Sequence, residues 1–315
     1  MVESPVTLEE LLAAVPEEEL PANRRQRRSK PRASGLAGCA RAQTAYMLDE
    51  EPTNFGAEDA EFTAEQGRIM EEPMVRLLER AGLVVNYRQL CIGHEPCSDQ
   101  HAAGPLNTPY TGHPDGGDLA GPEDRMQGLK WGVEFKHLGR WKYEGLFKNG
   151  LEVGAPDYLA QMVLYGSALQ WDACLLMAVA QDASSTRSDA TTNLRNKDPK
   201  TRWAEKEGWN PKFQLVAVDL REYRPLAKML WNRAEWLGKM AGSIPNSDDV
   251  MKVVAREYDP TVTKPKWRMI GGERVQVDEP LFPCGYCEFL ERCVDVGQMG
   301  ERAPLLPFSI GDNPE

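Results

Sequence analysis

Apolar residues recur along this chain with two periods, and those periods divide it into helices and strands. Residues 35–48, 62–81, 157–170 and 221–241 carry apolar positions at helical spacing. Gly82 stops the second of these helices, and Cys39 stands at the start of the first. In the fourth, Trp231 and Trp236 read as core anchors. Shorter apolar runs at 83–90, 173–180 and 213–219 read as strands. Residues 93–108 are rich in Gly, Pro, Ser and Asp and read as loop. A strand carrying Asp115, a turn at Gly121-Pro122-Glu123-Asp124 and a strand through 133–136 follow. Thr7 and Glu10 form a capping box for a short helix over 7–14. Helices and strands mix without strict βαβ alternation, so the expected fold class is α/β in the mixed, α+β sense.

With 315 residues, 41% of them hydrophobic, the chain can bury a sizeable core. No internal repeat is visible, and 35–315 reads as one domain behind a leader, 1–34. That leader changes sign: Glu9, Glu10 and Glu17 to Glu19 make its first part acidic, and Arg24 to Arg32 is strongly basic. The basic run suits either phosphate contact or a solvated face. The net charge of −11 argues against a generic nucleic-acid coat protein, although a local basic patch is enough to steer DNA. Residues 1–20 lack an apolar segment of the secretory kind, and no apolar run approaches bilayer length. The expectation is a cytoplasmic protein with no membrane partner. No G-x-x-x-x-G-K loop occurs, so an ATP motor is not expected within this chain.

The chemistry concentrates in Gly112-His113-Pro114-Asp115-Gly116, Val133-Glu134-Phe135-Lys136, and the pair Gln161 and Tyr165. Alternate side chains of a strand share a face, so Glu134 and Lys136 point together while Phe135 packs behind them. Two carboxylates beside an ammonium suit a hard divalent cation and a group that can polarise an attacking water. Gln161 and Tyr165 lie four apart and would project from one face of a helix.

On these residues the chain resembles the PD-(D/E)xK nuclease superfamily. Pro114-Asp115 matches the PD, Glu134-Phe135-Lys136 the ExK, and Gln161-x-x-x-Tyr165 the helix that RecB-like members place after the ExK strand. The family also carries a metal ligand four residues after a helical Gly. Here Gly67 leads to Glu71, a carboxylate in place of the more usual His, with Glu72 as the neighbour that could be confused with it. The resemblance implies a central mixed sheet flanked by helices and a metal-dependent DNA exonuclease. Glu71, Asp115, Glu134 and the Phe135 carbonyl would hold Mg²⁺ or Mn²⁺. Lys136 would orient water, and Gln161 and Tyr165 would position the scissile phosphate or Lys136.

Seven cysteines add a second signal. Cys284-x2-Cys287-x5-Cys293 sets three soft ligands in ten residues, which suits an Fe–S cluster or zinc. Cys39 is the leading fourth ligand, with Cys91 and Cys97 as competitors, and Cys174 reads as a buried strand thiol. One Cys before the nuclease core and three after it is the layout of RecB-like iron–sulfur nucleases, including those of CRISPR adaptation. The resemblance therefore implies a [4Fe–4S] cluster joining residues 35–48 to 280–296, with zinc as the alternative.

Residues 183–212 interleave Arg187, Arg195, Lys197, Lys200, Arg202, Lys206 and Lys212 with Trp203 and Trp209, which suits a lid on single-stranded DNA or an exposed insertion. Arg140, Lys142 and Tyr143 stand near enough to the ExK strand to contact substrate. The partners expected are DNA ends or single strands, a phage-type annealing protein or CRISPR adaptation proteins, and further copies of the chain. The contrasting reading is a catalytically silent DNA-binding or assembly factor on the same scaffold.

Overall fold

The structure, a computed structural model, describes residues 29–48, 57–86, 90–96, 101–180, 213–244, 263–270, 273–280 and 303–304. A five-stranded sheet lies at its centre. The strands are β1 (Val84–Val85), β4 (Asp118–Ala120), β5 (Trp131–Leu138), β6 (Ala173–Ala180) and β7 (Phe213–Asp219), in the order β1-β4-β5-β6-β7. Only β5 and β6 run parallel; the other three pairings are antiparallel. The sheet is therefore mixed, as expected. Two small sheets stand apart from it: β2 (Leu90–Cys91) with β3 (Ala102–Ala103), and the hairpin β8 (Thr263–Ile270) with β9 (Glu273–Pro280).

Helices cover both faces. On one, α2 (Ala57–Arg80) packs Met74, Val75 and Leu78 against Val133, Phe135 and Met177. On the other, α1 (Ala40–Leu48), α5 (Pro156–Leu169) and α6 (Arg224–Ser243) share a larger core with Leu138, Cys174, Leu176 and Ala178. A strand buried on both faces reads as a near-continuous apolar run, and Ala173–Ala180 is one. Cys174 is wholly buried within it, the strand thiol expected. Trp231 and Trp236 pack half-buried against the larger core, as anchors. Among the described residues, no helix is long and apolar enough to cross a membrane.

Several expected elements differ. The helix expected over 35–48 begins only at Ala40, after a 3₁₀ turn at Ala33–Gly35; Cys39 sits just outside it and accepts from the Gln43 amide. The strand expected over 83–90 resolves into β1 and β2, which belong to different sheets. Asp115 lies on a bend ahead of β4 rather than in a strand. The turn at 121–124 runs into a short helix, α3 (Glu123–Met126). A helix not foreseen, α4 (Arg140–Gly154), separates β5 from α5, broken at Gly150. Its Tyr143, expected near substrate, is buried in the core, and its carbonyl accepts from Gln214. The 213–219 strand and the 157–170 helix stand close to expectation, and the last helix opens with a 3₁₀ turn at Leu220–Tyr223.

One buried cation ties distant segments together. Arg233 on α6 donates to the carbonyls of Leu36 (2.9 Å), Gly38 (2.7 Å) and Pro304 (2.8 Å). The turn that precedes Cys39 and the chain a short way beyond Cys293 thus share one guanidinium. Residues 29–34 also lie against the fold: Lys30 donates to the Gly93 and Leu106 carbonyls, and Ala33 to Thr111. The helix expected over 7–14, the basic residues Arg24 to Arg28, the insertion 183–212, and Cys97, Cys284, Cys287 and Cys293 lie outside the described residues, and so do the side chains of 57–68, Gly67's surroundings among them.

Candidate active site

β4 and β5 pair only at Asp118↔Gly132 and Leu119↔Trp131, then part. The segment ahead of β4 can therefore fold its own side chain onto the freed edge of β5. Asp115 does so. Its carboxylate accepts from the Phe135 amide (3.0 Å) and from the Lys136 ammonium (3.4 Å). Lys136 also donates to Glu134. One ammonium thus bridges two carboxylates that stand nineteen positions apart in sequence. The amide and carbonyl of one strand residue face the same side. The Phe135 carbonyl consequently points toward the Asp115 edge.

Burial makes this cluster unusual. Glu134 is fully buried, and its Oε2 has no hydrogen-bond partner among the described residues. Burial first, and the charge of Asp115 second, push the Glu134 carboxyl up to about 8, against the pull of Lys136. Lys136 is raised well above its ordinary value: burial lowers it, and the charges of Asp115 and Glu134 outweigh that. A buried carboxylate oxygen with no donor is costly, and a hard cation is the partner its chemistry suits. The residues present therefore fit a divalent ion of the Mg²⁺ or Mn²⁺ class.

Gln161 and Tyr165 form the wall behind the cluster. Helical spacing puts both on one face of α5, and the Gln161 amide donates to the Tyr165 hydroxyl at 3.0 Å. Tyr165 is buried, and burial together with the Glu134 charge keeps its phenol protonated. Gly112 lies against its ring: a Cβ at this position would collide with Tyr165. Tyr110, from the same segment, donates to the Leu164 carbonyl at 2.6 Å. The α5 wall thus locks Tyr110 to Gly112, and the chain then turns through Pro114 to present Asp115.

Glu71 lies half-buried on α2, on the face of Met74, Val75 and Leu78, one turn nearer the helix start. Glu72 is exposed and paired with Arg76, which separates the two neighbours. Among the described residues, the group whose ligand atoms all come within 4.8 Å of one another is Cys91, His94 and His113, and it does not include the three acids.

One side chain here escaped the sequence reading. Tyr158 stands one helical turn before Gln161, with Lys136 5.5 Å and Lys142 4.9 Å from its ring. Lys142 in turn pairs with Asp157 at 2.7 Å. The i−3 spacing from Gln161 was the available signal. A cleft of about 520 Å³ on the other side of α5, lined by Trp171, Arg221, Arg224, Lys228 and Trp231 among others, holds none of the predicted site residues.

No family model matches this chain, and no curated protein matches it. Three solved structures are similar to it. One is an alkaline exonuclease, LHK-Exo, from Laribacter hongkongensis: 13% identity, TM-score 0.36, covering 68% of this chain and 91% of that one. Another is a phage-related exonuclease from Haemophilus somnus 129PT: 12% identity, TM-score 0.37, covering 69% and 96%. The third is LHK-Exo in complex with dAMP: 16% identity, TM-score 0.35, covering 70% and 96%. At these scores, what the site can do is read from its own residues.

Proposed function

We propose that this chain is a divalent-metal-dependent deoxyribonuclease that degrades DNA from ends or along single strands. The observation that carries the reading is the bridging of Asp115 and Glu134 by Lys136 beside a buried Glu134 oxygen that lacks a donor among the described residues. Asp115, Glu134, the Phe135 carbonyl and Glu71 would hold Mg²⁺ or Mn²⁺. Such an ion supplies acidification of a water and compensation of charge on phosphate oxygens.

The chain's own residues do the rest. Lys136 donates to whichever oxygen enters between the carboxylates, and so orients the attacking water. Asp115 holds Lys136 in place and is itself held by the Phe135 amide. Gln161 and Tyr165 act as positioning residues behind Asp115 and Lys136, through the close approach of Tyr165 to Gly112. Tyr158 and Lys142 would form a rim beside Lys136 that meets the substrate.

The same reading places a structural [4Fe–4S] cluster on Cys39, Cys284, Cys287 and Cys293, with zinc as the alternative. The support is Arg233, which gathers the carbonyls just before Cys39 and that of Pro304 beyond the cysteine run. A cytoplasmic setting and a role in recombination, repair or spacer processing, with annealing or CRISPR adaptation proteins as partners, belong to the same proposal.

The test is degradation of end-labelled single- and double-stranded DNA by anaerobically purified protein, with Mn²⁺ or Mg²⁺. Metal-dependent loss of label from wild type but not from Glu134→Ala, with circular dichroism unchanged, is the expected result. A wild type that binds DNA and leaves every substrate intact would transfer the conclusion to a silent binding or assembly factor.

A further inference from the structure

The loop that presents Asp115 also carries a second cluster, of different chemistry. Three of the four histidines in the chain, His94, His101 and His113, gather around the buried Cys91. We propose that Cys91, His94 and His113 bind one zinc ion, with His101 as the fourth ligand.

The backbone brings these residues together from three separate stretches. Ile92 and Gly112 exchange both amide–carbonyl hydrogen bonds in an antiparallel bridge, at 2.9 and 3.1 Å. That bridge sets Cys91 beside His113, the residues flanking the pair. The β2–β3 pairing brings in His101, next to Ala102, with Gly104 donating to the Cys91 carbonyl at 2.9 Å. Gly93 then turns the chain back with φ +77°, where a Cβ would strike the Tyr110 carbonyl, and His94 comes to face His113.

Three donors stand close enough to close on one small ion, with His101 beside the sulfur. Cys91 Sγ and one nitrogen from each of His94 and His113 lie within 4.8 Å of one another. The His101 Nδ1 lies 3.6 Å from the same sulfur. Tetrahedral zinc, with a sulfur bond of about 2.3 Å and nitrogen bonds of about 2.0–2.1 Å, separates those two donors by roughly 3.6 Å. The His94 and His113 rings meet nearly edge to face, 4.8 Å between centroids, and His101 and His113 are 5.5 Å apart.

His94 is oriented as a metal ligand is. Its Nδ1 lies 2.6 Å from the Glu95 carbonyl, which can only accept. The proton therefore sits on Nδ1, which leaves Nε2 as the atom to bind an ion. An outer hydrogen bond from the second ring nitrogen to a carbonyl is the usual companion of a histidine ligand. Imidazole and thiolate select zinc over Mg²⁺ or Mn²⁺, which the neighbouring carboxylates suit better. The contrasting reading is a buried thiol that shares a hydrogen bond with His101 and needs no metal.

Zinc here would act as a clamp. Among the described residues of 90–113 the strands are two residues long, so little regular structure holds them. A four-ligand ion would pin His113, and with it Asp115 two residues on.

The experiment uses the full chain. Zinc per chain is measured by mass spectrometry of the metals after dialysis against equimolar Zn²⁺, for wild type, His94→Ala, His113→Ala and His94→Cys. His94→Ala and His113→Ala should each hold one zinc equivalent less than wild type, whatever the C-terminal cysteines bind, and His94→Cys should keep it. Cobalt(II) in place of zinc should give tetrahedral visible bands with a thiolate charge-transfer band. That band should fall by one site's share in Cys91→Ser and strengthen in His94→Cys. The proposal is overturned by equal zinc contents in wild type and both alanine variants. It is equally overturned by a cobalt-loaded wild type whose thiolate band is undiminished in Cys91→Ser. The wild-type spectrum and His94→Cys keep the test decisive where an alanine variant fails to fold.

Discussion

Two clusters stand on either side of Pro114, and they differ in almost every respect. The carboxylate cluster of Asp115, Glu134 and Lys136 is built on the edge of a central strand and backed by α5. The cluster of Cys91, His94, His101 and His113 is built on loops and two-residue strands. The first gathers hard oxygen donors around an ammonium; the second gathers nitrogen and sulfur. On the proposed function, rigid support goes to the site whose geometry would have to be held for chemistry. The loop-built cluster, with little secondary structure of its own, is the one that gains from an ion. One short segment, Gly112 to Asp115, joins the two, so a disturbance at either end should reach the other.

Removing the acid at the centre of the first cluster should have the largest effect. Glu134→Gln is expected to lower metal-dependent DNA degradation on the order of 10³-fold or more, with zinc content unchanged. Single-turnover assays across Mn²⁺ concentrations would check it. Activity within tenfold of wild type would remove Glu134 from the site. Lys136→Met should cost roughly 10²-fold or more in rate while Mn²⁺ still binds. Calorimetric titration with Mn²⁺ separates this from Glu134→Gln, which should bind Mn²⁺ more weakly; equal Mn²⁺ affinity in the two variants would contradict the division of roles.

The hinge between the clusters is tested by Gly112→Ala. A Cβ there meets the Tyr165 ring, and overpacking of this kind costs about 1–3 kcal/mol. Chemical denaturation should show that loss, together with reduced activity and weaker zinc retention. A variant with lowered stability and both functions intact would show that the segment does not couple them. Tyr165→Phe is milder. It deprives the Gln161 amide of its acceptor, at a cost of about 1 kcal/mol, and should slow the reaction less than Lys136→Met does.

The mildest change removes no atom. The Glu134 carboxyl lies at about 8 in the folded chain, above its ordinary 4.5. The folded chain therefore keeps a proton that the unfolded chain loses. The resulting stabilisation is full below the ordinary carboxylate value and is lost as pH rises through about 8. Without divalent cation, the melting temperature should fall over that interval, and Glu134→Gln should flatten the fall. Mn²⁺ should restore stability at the alkaline end, where the ionised ligand predominates. Parallel melting curves for wild type and Glu134→Gln would refute this assignment.

Much of the central fold was legible in the residues. The apolar run at 173–180 and the periodic stretch at 157–170 became β6 and α5 because burial on both sides leaves little choice of pattern. Local spacing also brought Glu134 beside Lys136 and Gln161 beside Tyr165. Helix α4 escaped because Gly145, Gly150 and Gly154 interrupt its pattern. The β8–β9 hairpin escaped as well, although Gly271-Gly272 between two extended runs is a hairpin signal.

By itself, then, the sequence determined the donor types, the strand alternation that aligns Glu134 with Lys136, and the helical face shared by Gln161 and Tyr165. These follow from periods of two and 3.6, which local geometry sets without help from distant residues. Only the tertiary structure decided that Asp115 reaches the Phe135 amide, that Gly112 abuts Tyr165, and that three histidines from separate stretches surround Cys91. Those meetings depend on where strands part and which loops cross, and chain spacing carries no record of either.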